Sequence, residues 1–215
     1  MNEEQLKDAF CEVRKAHRLI YEYQRRMQDL TWFIKNKLGF PQYDGHKKFS
    51  GTVSSRNKIH HDNWSWDFIY TYVFEYHLGQ QENKEKHISW ALSLIQVSDT
   101  GFYKNRANGS SQTNLSSYAP PEESESRLLF YLSAAPKEVQ RNWNPDLIIN
   151  DFAASGEFDK TEFKKIVDTQ KQGCVQIVYS VPLSRFIDAT NTIQVLRDFV
   201  GYCNDNAGTS LSVQE

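Results

Sequence analysis

At 215 residues the chain can bury one substantial core, so its length favours a single domain with at most a helical appendage. Its net charge of −2 and pI of about 6.3 exclude a general electrostatic attraction to nucleic acid, so any such contact needs a local basic patch. No apolar run approaches the roughly 20 residues that cross a bilayer, and the cysteines lack the CxxC spacing of a zinc ribbon. With an acidic, polar N-terminus, these features predict a cytoplasmic protein without a membrane segment.

The most regular pattern in the chain is a heptad repeat in residues 1–38. Apolar side chains recur at seven-residue steps, and a second set follows at a spacing of three, which is the a/d pattern of a pairing helix. The a positions, which are the predicted interface residues, are Leu6, Val13, Ile20, Met27 and Ile34, and the d positions are Ala9, Ala16, Tyr23 and Leu30. Asn2 with Gln5 resembles a capping box, and Gly39 ends the helix.

A helix of this length runs about 50 Å, which is further than a small domain extends. One interpretation is that it lies across its own sheet and packs with the C-terminal helix. The other is that part of it forms a seam with a protein partner or with a second copy of the chain. The alanines and Tyr23 at the d positions suit a close antiparallel crossing better than a tight parallel zipper.

After residues 39–63, which show no periodicity, the hydrophobic period changes to two. Over residues 64–78 the aromatic side chains fall on one face of an extended strand, while Glu75 and His77 fall on the other. The alternation resumes over residues 88–97, where its parity slips by one. The pattern therefore predicts a long antiparallel hairpin with a bulge in its second strand.

Two further strands are predicted at 127–134 and 175–181. Helices are predicted around 137–143, around 163–167 and near the C-terminus, where Thr190 is the expected N-cap. Hairpins come first and helices mostly later, so the predicted class is α+β. The architecture is a long N-terminal amphipathic helix and a mainly antiparallel sheet of about four strands, with helices packed on one face.

The predicted organisation has three parts. The first is the pairing helix, and the second is the α+β domain, which includes a polar, Ser- and Asn-rich connection expected to be flexible. The third is a frayed tail. In order, these are residues 1–38, residues 39–204 with the flexible loop at 105–126, and residues 205–215.

The most suggestive stretch for binding is 46–61, which is basic and contains no carboxylate. Fixed positive charges beside serine and threonine hydroxyls suit a phosphate or another anion. The anion-binding candidates are Lys47, Lys48, Arg56 and Lys58. Trp64 and Trp66 follow and can stack on bases. Alternatively, the stretch is a solvated loop and the tryptophans belong to the core.

The end of this basic stretch supplies weak catalytic candidates, His60, His61 and Asp62. Asp62 can orient an imidazole, but no serine or cysteine is identifiable as a nucleophile. The nucleotide-binding and hydrolase motifs GxxxxGK[ST], GxGxxG, GxSxG and HExxH are missing from the sequence. No familiar catalytic set is therefore predicted.

Metal binding is restricted by strand geometry. Asp67 lies eight residues from Glu75, or about 26 Å along an extended strand, so the two cannot share an ion. Only Glu75 with His77, or residues from His60 to Asp67, could belong to one site, and His87 could lie close to His77 across the hairpin turn. Because these residues do not complete a ligand set, the sequence assigns no metal and no cofactor.

These observations predict a non-catalytic cytoplasmic protein for binding or assembly. It would act through its N-terminal helix and aromatic-rich sheet, with a protein partner or by self-association. The alternative is an enzyme acting on nucleic acid or another phosphate-bearing substrate through residues 46–61 and the nearby histidines.

Overall fold

The structure, a computed structural model, describes residues 2–49, 72–105, 114–139, 143, 145–146, 149, 163–167 and 173–215. Its helices are α1 (Glu3–Lys37), α2 (Gly101–Lys104) and α3 (Ala189–Ala207). Its strands are β1 (Asp44–Lys47), β2 (Val73–Asn83), β3 (Ile88–Val97), β4 (Arg127–Pro136), β5 (Phe163–Val167) and β6 (Val175–Pro182). Within this part of the chain, no helix is long and apolar enough to cross a membrane.

Helix α1 confirms the predicted N-terminal helix, with both ends where local signals placed them. The side chain of Asn2 accepts a hydrogen bond from the Gln5 N–H at 2.9 Å, and the Gln5 side chain accepts one from the Asn2 N–H at 2.9 Å. This is the predicted capping box. Gly39 follows with a positive φ of 67°, a conformation that suits glycine and ends the helix.

The strands form one antiparallel sheet with the order β1-β2-β3-β4-β6-β5. The predicted α+β class is therefore confirmed. The estimate of about four strands is too low, because the part of the chain that the structure describes contains six. The two that the sequence did not predict as strands, β1 and β5, are the short edge strands, with four and five residues.

Side chains alternate across the sheet and build two cores. One core lies under α3 and the C-terminal part of α1, so the long helices share one face as predicted; it includes Ile34, Leu92, Phe130 and Phe199. The opposite face is covered by α2 and by connecting segments; its core includes Ile95, Phe102, Leu129 and Tyr131. The sheet is thus buried on both faces, which explains its nearly continuous apolar central strands.

The helix predicted around residues 163–167 is wrong, because the segment is strand β5. Apolar side chains at Phe163, Ile166 and Val167 match a helical spacing, and five residues are too few to separate the two periods. Pairing with β6 decides the outcome. The Phe163 ring stacks on Tyr179 of β6, with centroids 3.9 Å apart, while Ile166 packs in the core on the other face.

Of the helix predicted around 137–143, residues 137–139 form a turn and 140–142 lie outside the described residues.

Two local predictions are corrected in position. The bulge lies in β2, where the register shifts between His77 and Gly79, while the pairing of β3 with β4 is uninterrupted. The N-cap of α3 is Asp188 rather than Thr190. The N–H of Asn191 donates to the Asp188 carboxylate at 2.8 Å, and this hydrogen bond lowers the pKa of Asp188.

The end of the chain is packed rather than frayed. Helix α3 continues to Ala207, and Leu211 is buried in the core beneath the helices. The N–H of Gln214 donates to the Lys37 carbonyl at 2.8 Å, which satisfies a carbonyl at the end of α1. In the predicted flexible loop, Tyr118 is buried, and residues 106–113 lie outside the described residues.

Candidate functional site

The first part of α1 lies outside the body of the domain. From Asn2 to Glu22 every residue is exposed except Cys11, which is half-buried. We call residues 3–22 the uncovered segment; it is about 30 Å long at 1.5 Å per residue. Its apolar stripe includes Leu6 (37% exposed), Phe10 (54%), Val13 (52%) and Ile20 (40%). Exposed apolar side chains in a continuous stripe are typical of a binding surface.

From Tyr23 onward the domain covers the same stripe. Met27 and Ile34 are buried in the core with the sheet, and the Tyr23 hydroxyl hydrogen-bonds with Ser98 at 3.2 Å. The side-chain amide of Gln24 donates to a tyrosine hydroxyl of β2 at 2.8 Å. The predicted interface set is therefore divided. Met27 and Ile34 serve the fold, whereas the three predicted interface residues nearer the N-terminus are exposed.

A second feature is a cavity of about 1010 Å³ that lies against β1, β2 and β3. Its walls combine ionisable groups with one large aromatic ring. They include His46, Lys48, Glu75, His77, Lys137 and Trp143. A cavity of this size can hold a small molecule, and ionisable groups that converge on a cavity are typical of binding or catalytic sites.

A buried ion pair lines this cavity. The Lys48 Nζ lies 2.9 Å from one carboxylate oxygen of Glu75, whose side chain is only 3% exposed. The Ser93 hydroxyl donates to the other carboxylate oxygen at 2.6 Å. Asp146, which is largely exposed, adds a looser contact 3.5 Å from the same Nζ. Both oxygens of Glu75 are thus engaged, as a buried carboxylate requires.

The ring of His77 extends this chain of hydrogen bonds. Its Nδ1 lies 3.1 Å from the Ser93 hydroxyl oxygen, and its ring meets Trp143 edge-on at 5.2 Å. Because the single hydroxyl proton of Ser93 is donated to Glu75, the His77 Nδ1–H must be the donor in this contact. A neutral His77 therefore carries its lone pair on Nε2. In chemical terms, Nε2 can accept a hydrogen bond or a proton while the carboxylate orients the ring through the hydroxyl.

Only some of the basic candidates can be located. Lys48 belongs to the buried ion pair, and Lys47 ends β1 with a half-buried side chain. His46 is exposed on β1 and lines the cavity. The remaining sequence-predicted anion-binding and catalytic residues lie outside the described residues; they are Arg56, Lys58, His60, His61 and Asp62.

The expected proximity of His77 and His87 is wrong. His87 lies in the hairpin turn, just before the Asn83–Ile88 pair, whereas His77 lies opposite Ser93. Across the described residues, no group of three or more His, Cys, Asp or Glu side chains is arranged to hold a metal ion.

Comparison with known proteins supplies a family but no activity. A family model described as PM0109 matches residues 3–208, which is nearly the whole chain. The chain belongs to the PM0109 family. The match spans both the uncovered segment of α1 and the cavity. No curated protein and no solved structure shows a significant match.

In this PM0109-family chain, Ser93 is the site residue that sequence reasoning missed. It lies in β3 directly opposite His77 and so bridges that histidine to Glu75. The sequence signal for Ser93 is a hydroxyl side chain between two leucines in a largely apolar strand. Its partner could not be assigned, because the bulge after His77 shifts the register of the hairpin by one residue.

Proposed function

We propose that this chain is a non-catalytic, cytoplasmic protein for binding and assembly, whose working surface is the uncovered segment of α1. The observation that carries the proposal is the division of one heptad stripe into a buried and an exposed part. Its last turns form part of the core, while Leu6, Val13 and Ile20 are 37–52% exposed. Burying the apolar side chains of such a helix face against another helix lowers the free energy of the pair.

The aromatic-rich sheet is not part of this working surface in the region that the structure describes. Tyr72 and Tyr76 are buried, and Phe74 packs against the core beneath the helices. The proposal therefore depends on the helix. A second copy of the chain is the partner that purified protein can test directly.

Val13→Glu is expected to abolish or strongly weaken association, with the dissociation constant raised about tenfold or more. The change places a carboxylate in an apolar seam, where it loses hydration without a partner. Val13 is 52% exposed in the single chain, so the fold itself should tolerate the change. Size-exclusion chromatography with light scattering over a dilution series measures the mass, and circular dichroism checks the helix.

Tyr21→Glu is the matched control. It introduces the same charge at a 66% exposed residue that lies at neither an a nor a d position. Association should be retained in this variant. A wild-type chain that is monomeric at every concentration, and unchanged by Val13→Glu, would contradict the proposal.

The cavity supports a second candidate function, action on a phosphate-bearing substrate. The specific observation is that Lys48 and His46, both from the basic stretch, line the cavity together with His77. A cation beside a histidine whose lone pair lies on Nε2 suits binding and proton transfer at a phosphate ester.

A variant in which Lys47, Arg56 and Lys58 are all replaced by Ala tests this candidate. Lys48 is left unchanged, because its removal would strand the buried Glu75 carboxylate and confuse binding with unfolding. Binding of inorganic phosphate or of a short single-stranded oligonucleotide, followed by calorimetry, should weaken about tenfold or more. Equal binding by the variant and the wild type would show that Lys47, Arg56 and Lys58 do not bind the anion.

A further inference from the structure

Charge is strongly segregated along the exposed part of α1. The acidic part, residues 3–12, carries four carboxylates and one lysine; these are Glu3, Glu4, Asp8, Glu12 and Lys7. The basic part, residues 13–26, carries five cations and one carboxylate; these are Arg14, Lys15, Arg18, Arg25, Arg26 and Glu22. Glu3, Glu12 and Arg26 hold the e and g positions that border the apolar stripe, and the other charges lie further round the helix, so the segregation of charge acts along the helix axis.

We propose that the partner of the uncovered segment is the same segment of a second copy, running antiparallel. The inference rests on the proposed function, since it names the partner and the geometry of the same surface. When the two segments overlap along their full length, residues 3–12 of each copy lie beside residues 13–22 of the other. The acidic part of one chain then lies along Arg14, Lys15 and Arg18 of the other, twice per dimer.

The antiparallel direction follows from comparison with the parallel one. In a parallel pair the acidic parts lie side by side, and so do the basic parts, which opposes association within the Debye length of about 10 Å at 0.1 M salt. The core positions agree with this choice. In the full-overlap register, Ala9 of each copy lies opposite Ala16 of the other, and these small side chains permit a close crossing.

The arrangement also agrees with the shape of the molecule. The uncovered segment projects about 30 Å beyond the domain, and the domain covers the stripe from Tyr23 onward. Antiparallel overlap of the two segments places the domains at opposite ends of the shared helix pair. Each N-terminus then lies near Tyr23 of the other copy, where that copy's helix meets its own domain. The whole exposed stripe is covered in this overlap.

Spin labels at residue 4 test the direction of pairing. Glu4→Cys is labelled in a full-length Cys11→Ser background. Cys174 and Cys203 are both buried, and burial raises the pKa of the Cys203 thiol, so neither competes for the label. In the antiparallel pair the two labels are separated by about 20–30 Å along the axis. In a parallel pair they have no axial separation and are separated only across the two helices, whose axes are about 10 Å apart.

Salt supplies an independent measurement on the unmodified chain. Raising NaCl from about 0.1 M to about 1 M shortens the Debye length from about 10 Å to about 3 Å. The antiparallel dimer loses attraction between its acidic and basic parts, so its dissociation constant should rise several-fold. A parallel dimer would lose repulsion and become tighter. Sedimentation equilibrium at both salt concentrations measures the dissociation constant.

The outcomes separate the two proposals. A long interlabel distance, lost in the labelled Val13→Glu variant, together with weaker association in salt supports the antiparallel pair. A dimer with the short distance, or one tightened by salt, overturns the antiparallel geometry and leaves the proposed function standing. A chain that stays monomeric without dipolar coupling overturns both.

Discussion

Lys48→Met should lower the free energy of unfolding by about 3–5 kcal/mol, the usual effect of removing one partner of a buried ion pair. The Lys48 Nζ lies 2.9 Å from the Glu75 carboxylate, and the two side chains are 16% and 3% exposed. Without the ammonium group, the carboxylate keeps the hydrogen bond from Ser93 but loses its counter-charge in a poorly hydrated site. Urea unfolding measures the loss. The free energy of unfolding should depend on urea concentration with the same slope in the variant and the wild type.

Lys137→Met is the matched control at the same cavity. Lys137 pairs with Glu82 at 3.0 Å, but the two side chains are 54% and 37% exposed, so the loss should be at most about 1 kcal/mol. Combining Lys48→Met with Glu75→Gln should recover most of the stability, because the amide keeps an acceptor for Ser93 without a charge. Equal losses for the two lysine variants would show that the Lys48–Glu75 pair is not desolvated.

Ile34→Ala should destabilise the fold by about 2–5 kcal/mol, whereas Ile20→Ala should change stability by at most about 0.5 kcal/mol. Both isoleucines hold the a position of the same heptad pattern. Ile34 is 0% exposed and packs in the core, so its truncation leaves a cavity. Ile20 is 40% exposed and lies in the uncovered segment.

The comparison is made in the Val13→Glu background, so that helix pairing does not contribute to stability. Urea unfolding of the two alanine variants at equal protein concentration gives the difference. A large loss for Ile20→Ala in this background would mean that the domain itself, rather than a partner, covers that part of the helix.

Local interactions made several features readable from the sequence. The capping box of Asn2 with Gln5 and the glycine after α1 act within a few residues, so the helix ends could be predicted. Strict alternation placed Glu75 and His77 on one face of β2, and in the structure both side chains contact Ser93 of β3. The order of hairpins and helices was enough for the α+β class.

Non-local pairing decided the features that sequence reasoning missed. Strand β5 carries a helix-like apolar spacing, and only stacking on Tyr179 of β6 holds it extended. The bridge from His77 through Ser93 to Glu75 depends on a cross-strand register that a bulge displaces. Neither contact is encoded within a short window of sequence, because each joins residues brought together by the whole sheet.

The sequence by itself determined that α1 is one long helix with a continuous apolar stripe, because heptad spacing and end caps are local properties. Only the tertiary structure decided which part of that stripe belongs to the fold. The a positions before and after Tyr23 have the same spacing and similar side chains. The sheet extends far enough to cover Met27 and Ile34 but not Ile20, so the remainder is left exposed.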